Sequence, residues 1–386
     1  MSPSPSTSPS HSPTKKKTAS WNFAALVSVS VPVIVATIIY WLEPFEPVHF
    51  PADQLSRTTS SAPALNEHMR RGSEVVGSGK LEGPEDLVYD AKSRVIYTGC
   101  WDGWIKRVKV SEPVADSVVE NWVNTGGRPL GLALGHDGEV VVADADKGLL
   151  RVTKDKEIEV LADEVEGLKF KLTDGVDIAN DGTIYFTDAS YVYSMKEFIF
   201  DILEGKPHGR LISYNPATKK TTLLASNLYF ANGIVVSPDQ TYVIFCETVL
   251  RRCRKYFIEG SKKGRIEKFI EDLPGMPDNI HYDGEGHYYI AMATSLTRSW
   301  DLTLRYPFIR KAAAIWTKLT GGINNGENAG VFIVDLKGKP VAHYHDLDLK
   351  LISSGIKIGN HIYCGSILYP YILRIDAKKY PALPVS

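Results

Sequence analysis

Oxygen-donor side chains recur at one position of a repeated pattern in this chain of 386 residues. Each repeat has a small or polar pair, an apolar run, a turn and a second apolar run. The first positions of the repeats are Glu85, Leu130, Asp174, Asn232, Asp278 and Ser354, and Asn279 follows Asp278. Carboxylate and amide oxygens are the donors that calcium takes, about six to eight at a time. The pattern therefore predicts a calcium site formed by Glu85, Asp174, Asn232, Asp278 and Asn279.

The alternative for each of these residues is a role in a turn. Asn and Asp favour turns, and an Asx-Gly step such as Asn232-Gly233 commonly starts a strand. Recurrence in one phase of the repeat favours a shared site, because carboxylates that converge repel one another unless a cation joins them. Zinc is disfavoured because the sequence has no CxxC pair or histidine cluster, and magnesium prefers a stricter geometry.

A calcium-bound ester would still need a base that activates water. The second strand of each repeat runs back to the side where the first strand begins, so residues near its end are candidates. Asp144, Asp188 and Glu247 occupy such positions and are candidate general bases. Each is alternatively a solvated loop carboxylate or a turn cap. His281, on a first strand, is expected to be a hydrogen-bonded channel residue, and no G-x-S-x-G motif indicates a serine nucleophile.

The elements that must position these residues are short strands. Repeat starts at 85, 130, 174, 232, 278 and 354 give spacings of 45, 44, 58, 46 and 76 residues. Turns of the Asp-Gly, Pro-Asp and Gly-Asn types favour hairpins, and a further strand pair follows most of them. Four short strands in each of six units predict an all-β fold, a six-bladed β-propeller over residues 81–380. A β-sandwich would not explain the recurrent register. The segment SEVVGSG, residues 73–79, is expected to supply the strand that closes the ring.

Two insertions account for the long spacings. Residues 191–209 and 298–326 both follow second strands, so they should project over the side that holds the predicted metal. Both are rich in aromatic residues, and the second can form an amphipathic helix. We expect a lid over an apolar pocket or a surface that contacts a membrane. Packing of the two insertions against each other is the alternative.

The N-terminal part differs from the repeats. Residues 1–20 are rich in Ser and Pro and are predicted to be a disordered cytosolic tail. Residues 21–43 are predicted to be a transmembrane signal anchor, because the 25 residues from Thr18 to Leu42 carry no charge and can span an apolar core of about 30 Å. A cleaved signal peptide and a buried core helix are the alternatives. Residues 44–80 are predicted to be a linker.

Charge around the apolar run predicts the topology. Lys15, Lys16 and Lys17 precede it, and Glu43 and Glu46 follow it. The positive-inside rule then places the N-terminus in the cytosol. The chain is expected to be a single-pass type II membrane protein whose body lies in the lumen of the endomembrane system, endoplasmic reticulum or vacuole, or outside the cell.

Composition and cysteine content limit the partners. The chain has 44 Lys and Arg residues against 45 Asp and Glu residues, and its body has no basic cluster, which argues against nucleic acid. A lumenal body permits disulfides. Of the four cysteines, Cys246 and Cys253 flank the segment ETVLRR and are candidates to face each other across a hairpin, although spacing alone does not fix a pairing.

Five motifs carry a family resemblance: GPEDLVYD, GGRPLGLAL, GTIYFTDAS, FANGIVVSPD and MPDNIHYDGEGHYYIA. As a set, over about residues 70–380, they resemble the strictosidine synthase-like proteins of plants and their animal relative, the adipocyte plasma membrane-associated protein. They are remotely similar to the paraoxonase and regucalcin propellers, which bind calcium at the channel mouth through Glu, Asn and Asp. The resemblance implies ligands at Glu85, Asp174, Asn232 and Asp278, with Asn279 as a further candidate. Asp174 stands where the remote relatives usually have Asn.

Departures from the family pattern qualify the expected activity. Strictosidine synthase condenses tryptamine with secologanin through a glutamate of the last blade, and the matching residue here is Ser353. Paraoxonases use a histidine at the entry of blade two, where this chain has Leu130. The family often has a cysteine before GRPLG that pairs with the cysteine at position 100. Here that residue is Gly126, so Cys100 is expected to be a free thiol.

We therefore expect a membrane-anchored, calcium-dependent hydrolase of esters or lactones, similar to arylesterases. Its substrate would be a small apolar ester, lactone or alkaloid-like molecule. Membrane contact is expected through residues 21–43, with residues 298–326 as a further candidate surface. A non-enzymatic binding propeller stabilised by calcium is the alternative. Condensation of the strictosidine type is less favoured because of Ser353.

Overall fold

The computed structural model describes residues 19–51, 54–55, 58–322 and 326–385. The chain divides into two units, residues 1–45 and residues 46–386. Most of the predicted tail, residues 1–18, lies outside the described residues.

The first unit contains one long helix, α1, Ala19–Leu42. Its 24 residues extend over about 36 Å at 1.5 Å per residue. The window Ala25–Leu42 has a mean hydropathy of 2.2, so the helix is long and apolar enough to cross a membrane. The hydroxyl groups of Ser30 and Thr37 donate to the carbonyls of Leu26 and Val33, one turn earlier, which satisfies polar groups on an otherwise apolar surface. The helix matches the anchor predicted for residues 21–43 within two residues.

The second unit is a six-bladed β-propeller, as predicted. In each blade an inner strand lines the central channel and pairs antiparallel with a second strand. The inner strands are Leu87–Asp90, Pro129–Leu134, Thr173–Ile178, Ala231–Val236, Gly275–Tyr282 and Ile352–Ile358. The second strands are Val95–Gly99, Val140–Asp144, Ile184–Asp188, Tyr242–Glu247, His287–Ser295 and His361–Ser366. Inner strands of successive blades contact one another, and blade six contacts blade one, so the ring is closed.

Two further strands complete each blade. The third strands are Trp104–Lys109, Gly148–Val152, Gly209–Asn215, Arg252–Phe257, Ala329–Asp335 and Ile372–Asp376. The outer strands of blades one to five are Val118–Asn124, Ile158–Ala162, Lys220–Leu228, Ile266–Ile270 and Pro340–Asp346. A small hairpin, Glu164–Val165 with Leu168–Lys169, follows blade two.

The N-terminal side of the chain closes the ring. Ser73–Val76 pairs antiparallel with Ile372–Asp376 and is the outer strand of blade six, as expected for SEVVGSG. Ala64–Asn66 pairs parallel to the outer strand of blade five and antiparallel to Leu383–Pro384. Both segments fall in the range predicted as a linker, residues 44–80. The propeller therefore begins upstream of residue 81, because a closed ring needs a strand from each end of the chain.

Apolar side chains fill the spaces between blades. All six residues of the inner strand of blade four, Ala231–Val236, are buried because neighbouring blades cover both faces. Ile244 and Val235 of that blade pack with Phe332 and Tyr288 of blade five. Burial of each such aliphatic or aromatic side chain contributes about 1.5–3 kcal/mol. This packing holds the inner strands rigidly around the channel.

The two insertions form helices, as predicted for the second. The first insertion contains a 3₁₀ turn, Met195–Glu197, and α2, Phe198–Glu204. The second contains α3, Arg298–Arg305, and α4, Pro307–Thr320. The Thr297 hydroxyl caps α3 by accepting the Trp300 amide, and Gly205 and Gly321 end α2 and α4 in the left-handed conformation.

Candidate metal centre

Three carboxylates converge where the inner strands begin. Glu85, Asp174 and Asp278 each offer an oxygen, and these three atoms lie within 4.8 Å of one another. We call these residues the inner ring. They come from blades one, three and five and are far apart in sequence. They meet because each occupies the same position of its repeat. The structure brings together the three carboxylates predicted as calcium ligands.

Irregular pairing at the start of the inner strands turns these side chains inward. The register with the second strand shifts between Thr173 and Val176 in blade three, and between Pro277 and Ile280 in blade five. Asp174 and Asp278 lie inside these shifts. An irregularity of this kind re-aims a side chain that regular pleating would direct into the space between blades.

Glycines next to the ring positions let adjacent blades approach closely. A Cβ atom on Gly175 would lie 2.8 Å from the Asn232 carbonyl oxygen, and one on Gly233 would lie 2.5 Å from the Asp278 carbonyl oxygen. Both contacts are with backbone, which cannot move aside cheaply. The Asx-Gly steps therefore serve packing between blades in addition to starting strands.

Two buried oxygens at this site have no hydrogen-bond donor. They are Oε2 of Glu85 and Oδ1 of Asn232. The other side of the Asn232 amide hydrogen-bonds to the Asp278 carboxylate, which leaves the amide oxygen available. A buried acceptor without a partner costs about 1–3 kcal/mol. A cation at this position would satisfy both oxygens.

The electrostatics of the inner ring are unfavourable for three anions. Burial raises the pKa of Glu85 and of Asp174 well above the ordinary range, and the charge of Asp278 raises both further. Burial also raises the pKa of Asp278 to about 7, although a hydrogen bond from Asn232 lowers it. Arg128, whose charge lowers the pKa of Glu85 and of Asp174, is a buried cation that sequence reasoning missed. One guanidinium does not neutralise three carboxylates.

Asn279 contacts the inner ring from the side. Its Nδ2 donates to Glu85 Oε1 at 2.9 Å, so its amide orients the carboxylate. Ser353, at the position of the glutamate of strictosidine synthase, donates its hydroxyl to the Glu85 carbonyl at 2.7 Å. Leu130 supplies the apolar member of the repeat and lines the cavity described below.

A second group of polar residues lies beside the inner ring along the channel. His281 Nε2 is 2.7 Å from Asp86 Oδ1, and the Ser354 hydroxyl donates to the same oxygen at 2.8 Å. Asp86 also accepts the Leu132 amide. His281 is thus the hydrogen-bonded channel residue that the sequence predicts, and Asp86, the neighbour of Glu85, is the partner that the repeat did not reveal.

The candidate bases occupy strand ends as expected, but each is held by the chain itself. We call Asp144, Asp188 and Glu247 the strand-end set. Asp144 accepts the Thr125 hydroxyl and the amides of Arg128 and Asp146. All three residues of the set are fully buried.

Arginines hold the other two members of the strand-end set. Asp188 accepts Nε and Nη2 of Arg210 at 3.0 and 2.7 Å, and also the Leu172 amide. Burial nevertheless raises the pKa of Asp188 to about 6. Glu247 accepts Arg252 Nε at 2.6 Å and the Tyr229 amide. These contacts are those of caps, which was the alternative to a catalytic role, and none of the three carboxylates is among the described residues that line the cavity.

An apolar cavity of about 450 Å³ opens above the inner ring. This volume suits a small organic molecule. Glu85, Asp174, Asn232 and Asp278 form its polar floor. The apolar walls come from both insertions, from residues at or just before the start of inner strands, and from the loop after the second strand of blade six. They are Met195, Phe198, Ile199, Ile202, Phe230, Met276, Trp300, Leu351, Ile367 and Leu368. The two insertions thus form the predicted lid, and α2 and α4 also pack against each other.

Two lining residues adopt a left-handed backbone that is rare for large side chains. Phe230 has φ 56° and Leu351 has φ 48°, and each immediately precedes an inner strand. Such conformations cost about 1–3 kcal/mol and persist where the surroundings impose them. Here they place apolar side chains at the cavity wall. The sequence carried no signal for this, since neither residue is a glycine or an asparagine.

The structure gives the cysteine pairing that spacing alone left open. Cys246 and Cys253 form a disulfide between the second and third strands of blade four. Cys100 and Cys364 are free and buried. The disulfide lies one residue pair away from Glu247 and Arg252, so it fixes the hairpin that carries their ion pair.

Comparisons with known proteins agree with this architecture. The family described as "Strictosidine synthase" matches residues 174–261, and "Strictosidine synthase-like, N-terminal" matches residues 65–108. Protein STRICTOSIDINE SYNTHASE-LIKE 6 of Arabidopsis thaliana is 54% identical over 92% of this chain and 95% of its own length.

Two solved structures share the fold at low sequence identity. A gluconolactonase from Xanthomonas campestris superimposes with a TM-score of 0.57 and 13% identity, over 87% of this chain and 99% of that one. The calcium-binding protein regucalcin from Agrobacterium tumefaciens gives a TM-score of 0.53 and 17% identity, over 78% of this chain and 92% of that one.

Proposed function

The chain belongs to the strictosidine synthase-like family, as its motifs predicted, and from this premise we propose that it is a membrane-anchored, calcium-dependent hydrolase of esters or lactones. The observation that carries the proposal is the position of three carboxylates, two of them buried and one half-buried, on the floor of an apolar cavity. The fold shared with a gluconolactonase and with calcium-binding regucalcin is compatible with it.

Calcium fits the donor set of the floor. The ligands would be Glu85, Asp174, Asn232 and Asp278, all oxygen donors, and two of their oxygens are buried without a partner. Asn279 would act on Glu85 by holding Oε1. The combination of three carboxylates and an amide, without sulfur or imidazole, matches a hard cation. When bound, calcium would supply a positive charge that polarises the substrate carbonyl and stabilises the oxyanion.

The chain's own residues would bind and orient the ester and would take a proton from the attacking water. The apolar walls bind the hydrocarbon part of an ester and exclude bulk water, which strengthens electrostatic interactions at the floor. Hydrolysis adds water across the acyl C–O bond, and the leaving alkoxide takes a proton. Asp278 is half-buried, whereas Glu85 and Asp174 are buried, so Asp278 is the ring carboxylate most open to an attacking water. We assign it the role of proton acceptor in place of the strand-end set.

Condensation of the strictosidine type has no support at this site. The Ser353 hydroxyl donates its hydrogen bond to the Glu85 backbone carbonyl. Among the described lining residues, Glu85 is the only glutamate, and it belongs to the inner ring. A non-enzymatic propeller remains the second candidate, because a cation bound to blades one, three, four and five would also stabilise the fold.

Membrane anchoring completes the proposal. α1 would span the bilayer as a type II anchor, with Lys15–Lys17 in the cytosol and the propeller in the lumen of the endomembrane system or outside the cell. Protease treatment of sealed microsomes tests this topology. The propeller should resist digestion until detergent is added, and digestion of the propeller from outside would refute it.

Hydrolysis of aryl esters and lactones by the full chain in lipid nanodiscs tests the activity. Calcium chelation and Asp278→Asn should each lower kcat/KM at least about a hundredfold. Asp155→Asn, at an exposed turn, is the matched control and should change it less than about twofold. Activity that survives both changes would overturn the mechanism. If calcium raises the melting temperature but no ester or lactone turns over, the structural role replaces the enzymatic one.

A further inference from the structure

The lid exposes an apolar stripe to solvent. On α4, Phe308, Trp316 and Leu319 have relative exposures of 59%, 62% and 71%. Their spacing, with exposed Ala312 between the first two, follows one face of a helix, at i, i+4, i+8 and i+11. We call these four residues the α4 stripe. Side chains of this size are normally covered when they form a contiguous patch.

The opposite face of α4 is occupied by the chain segment that follows the apolar helix α1. Arg310 is fully buried, and its Nη1 donates to the carbonyls of Leu203 and Glu204 at 3.1 Å, while Nη2 donates to the Val48 carbonyl. The Arg310 guanidinium carbon lies 4.6 Å from the centre of the Phe50 ring.

Two further contacts fasten this segment to the lid. Lys311 Nζ lies 2.8 Å from Glu46 Oε1, and the Val48 amide donates to the Glu204 carbonyl at 2.9 Å. Residues 46–50 therefore bind α2 and α4 together on one side. The α4 stripe is left as the face that no described element covers.

Covalent connection limits how far α4 can be from the membrane. α1 ends at Leu42, and Glu46 is already held on α4. Whatever the direction of α1, the four steps from Leu42 to Glu46 reach at most about 14 Å. An amphipathic helix lies in the interfacial layer, about 5–10 Å deep. A tether this short keeps the lid close to any bilayer that α1 spans.

Charge on the second insertion complements an anionic surface. Within residues 298–320, Arg310 and Lys311 are buried against α2 and residues 46–48, and Arg305 pairs with Asp301. The exposed basic residues of this insertion are Arg298 and Lys318. Lys318 is exposed next to Leu319. Aromatic and aliphatic residues on one face with basic residues around them are typical of helices that lie in a lipid interface.

We propose that the α4 stripe docks on the lipid surface of the bilayer that holds α1, with anionic headgroups near the exposed Arg298 and Lys318. The end of α4 reaches the cavity, because Thr320, Gly321 and Gly322 line it. Docking would therefore open the cavity towards the lipid phase. Resting on the proposed hydrolase function, this assigns the substrate class as lipophilic esters or lactones that partition into the bilayer.

Depth-dependent quenching tests the docking without any assumption about activity. The full chain carrying Leu319→Cys is labelled with a fluorophore and placed, one copy per disc, in nanodiscs whose lipids carry a nitroxide. The native cysteines should not react, because Cys100 and Cys364 are buried and the other two form a disulfide. Leu336→Cys is the matched control. Leu336 is 40% exposed and follows Asp335, which pairs with His287 at the end of blade five away from the inner ring.

Nitroxide lipids should quench the Leu319 label at least about threefold more than the Leu336 label, since interfacial burial is shallow and local. The difference should shrink in discs made of zwitterionic lipid only. Equal quenching at both positions would overturn the proposal. Protection of the Leu319 label that appears only with two copies per disc would identify a second copy of this chain as the occupant and would also overturn it.

A competition between substrates tests the assigned class. A variant with Phe308→Ser, Trp316→Ser and Leu319→Ser should lower kcat/KM for a long-chain aryl ester about tenfold in nanodiscs, and change it less than about twofold for a short, water-soluble aryl ester. Calcium-dependent thermal stability should stay unchanged, because the three side chains are exposed. Equal effects on both esters would refute the assigned class. If neither ester is hydrolysed by the parent chain, the proposed function fails while the quenching result still decides the docking.

Discussion

Two sets of carboxylates lie at the same end of the propeller and differ in what surrounds them. In the strand-end set, Asp188 and Glu247 are each paired with an arginine, and Asp144 is surrounded by amides and a hydroxyl. In the inner ring, the nearest charges are other carboxylates, and one oxygen of Glu85 has no donor.

The difference separates a structural acid from a candidate ligand. A carboxylate whose oxygens all accept hydrogen bonds from the chain has no free lone pair for a metal or a substrate, even when it lies at the channel mouth. A carboxylate left with an unsatisfied oxygen next to like charges is stable as an anion only if a cation arrives. Position at the mouth is common to both sets, so partners, and not position, distinguish them.

Removal of an arginine that pairs with the strand-end set should have the largest effect on the free energy of unfolding. Arg210→Met leaves Asp188 buried without its ion pair, and we expect the free energy of unfolding to fall by about 3–5 kcal/mol. Chemical denaturation of the full chain in detergent measures this loss. Calcium affinity, measured by titration calorimetry, should not change by more than about threefold, because Arg210 does not contact the inner ring in the described structure.

The double variant Arg210→Met/Asp188→Asn is the control. It removes both charges, so it should recover a large part of the lost stability. If the single variant is no less stable than the parent chain, the assignment of Asp188 to a structural role fails.

Calcium should stabilise the folded chain through the inner ring alone. At a calcium concentration of about 100 times Kd, binding adds about 2.7 kcal/mol to the free energy of unfolding. The increment should persist in Arg210→Met/Asp188→Asn and disappear in Asp278→Asn. Thermal denaturation with calcium and with chelator measures it. An increment that survives in Asp278→Asn would place the cation elsewhere.

The disulfide lies next to the strand-end set and not next to the inner ring, so its removal should affect the two sets differently. Cys246→Ala/Cys253→Ala opens a loop of eight residues next to the Glu247–Arg252 pair. We expect the free energy of unfolding to fall by about 2.5 kcal/mol from the greater entropy of the unfolded chain. The calcium increment should stay the same. A lost increment would show that blade four transmits strain to the inner ring through Asn232.

Much of the fold was predictable because a propeller repeats its register. Glu85, Asp174 and Asp278 occupy the same position of the repeat, and the strands that follow them occupy the same place in each blade. The repeat therefore predicted both the propeller and the inner ring. The closing strand was predictable as well, since SEVV contains two β-branched valines and lies upstream of blade one. The upstream boundary was not, because Ala64–Asn66 gains its strand conformation only from pairing with blade five.

The partners of the strand-end set were harder to predict. Asp188 faces Arg210 and Glu247 faces Arg252 across the second and third strands, so the ion pairs depend on hairpin register. The arginines in GRLIS and RCRKY are visible in the sequence, but for blade three the register is hidden by the insertion between the strands. Asp144 gave no such signal, because its donors are mostly backbone amides, which every sequence has.

The smallest expected effect is a gain in stability, whereas removal of Arg210 should cause a loss. In the presence of chelator, Asp278→Asn removes one of three converging charges while it keeps a polar side chain of the same size. We expect the free energy of unfolding to rise by about 1–2 kcal/mol, because Glu85 and Asp174 lose a repulsive neighbour. Chemical denaturation at mildly alkaline pH, above the raised pKa of Asp278, measures the change, because more of the ring carboxyl groups are ionised there than at neutral pH. Asp155→Asn is the control and should shift stability by less than about 0.5 kcal/mol. A clear loss of stability would mean that the inner ring, like the strand-end set, is satisfied by the chain itself, and the calcium site would lose its electrostatic basis.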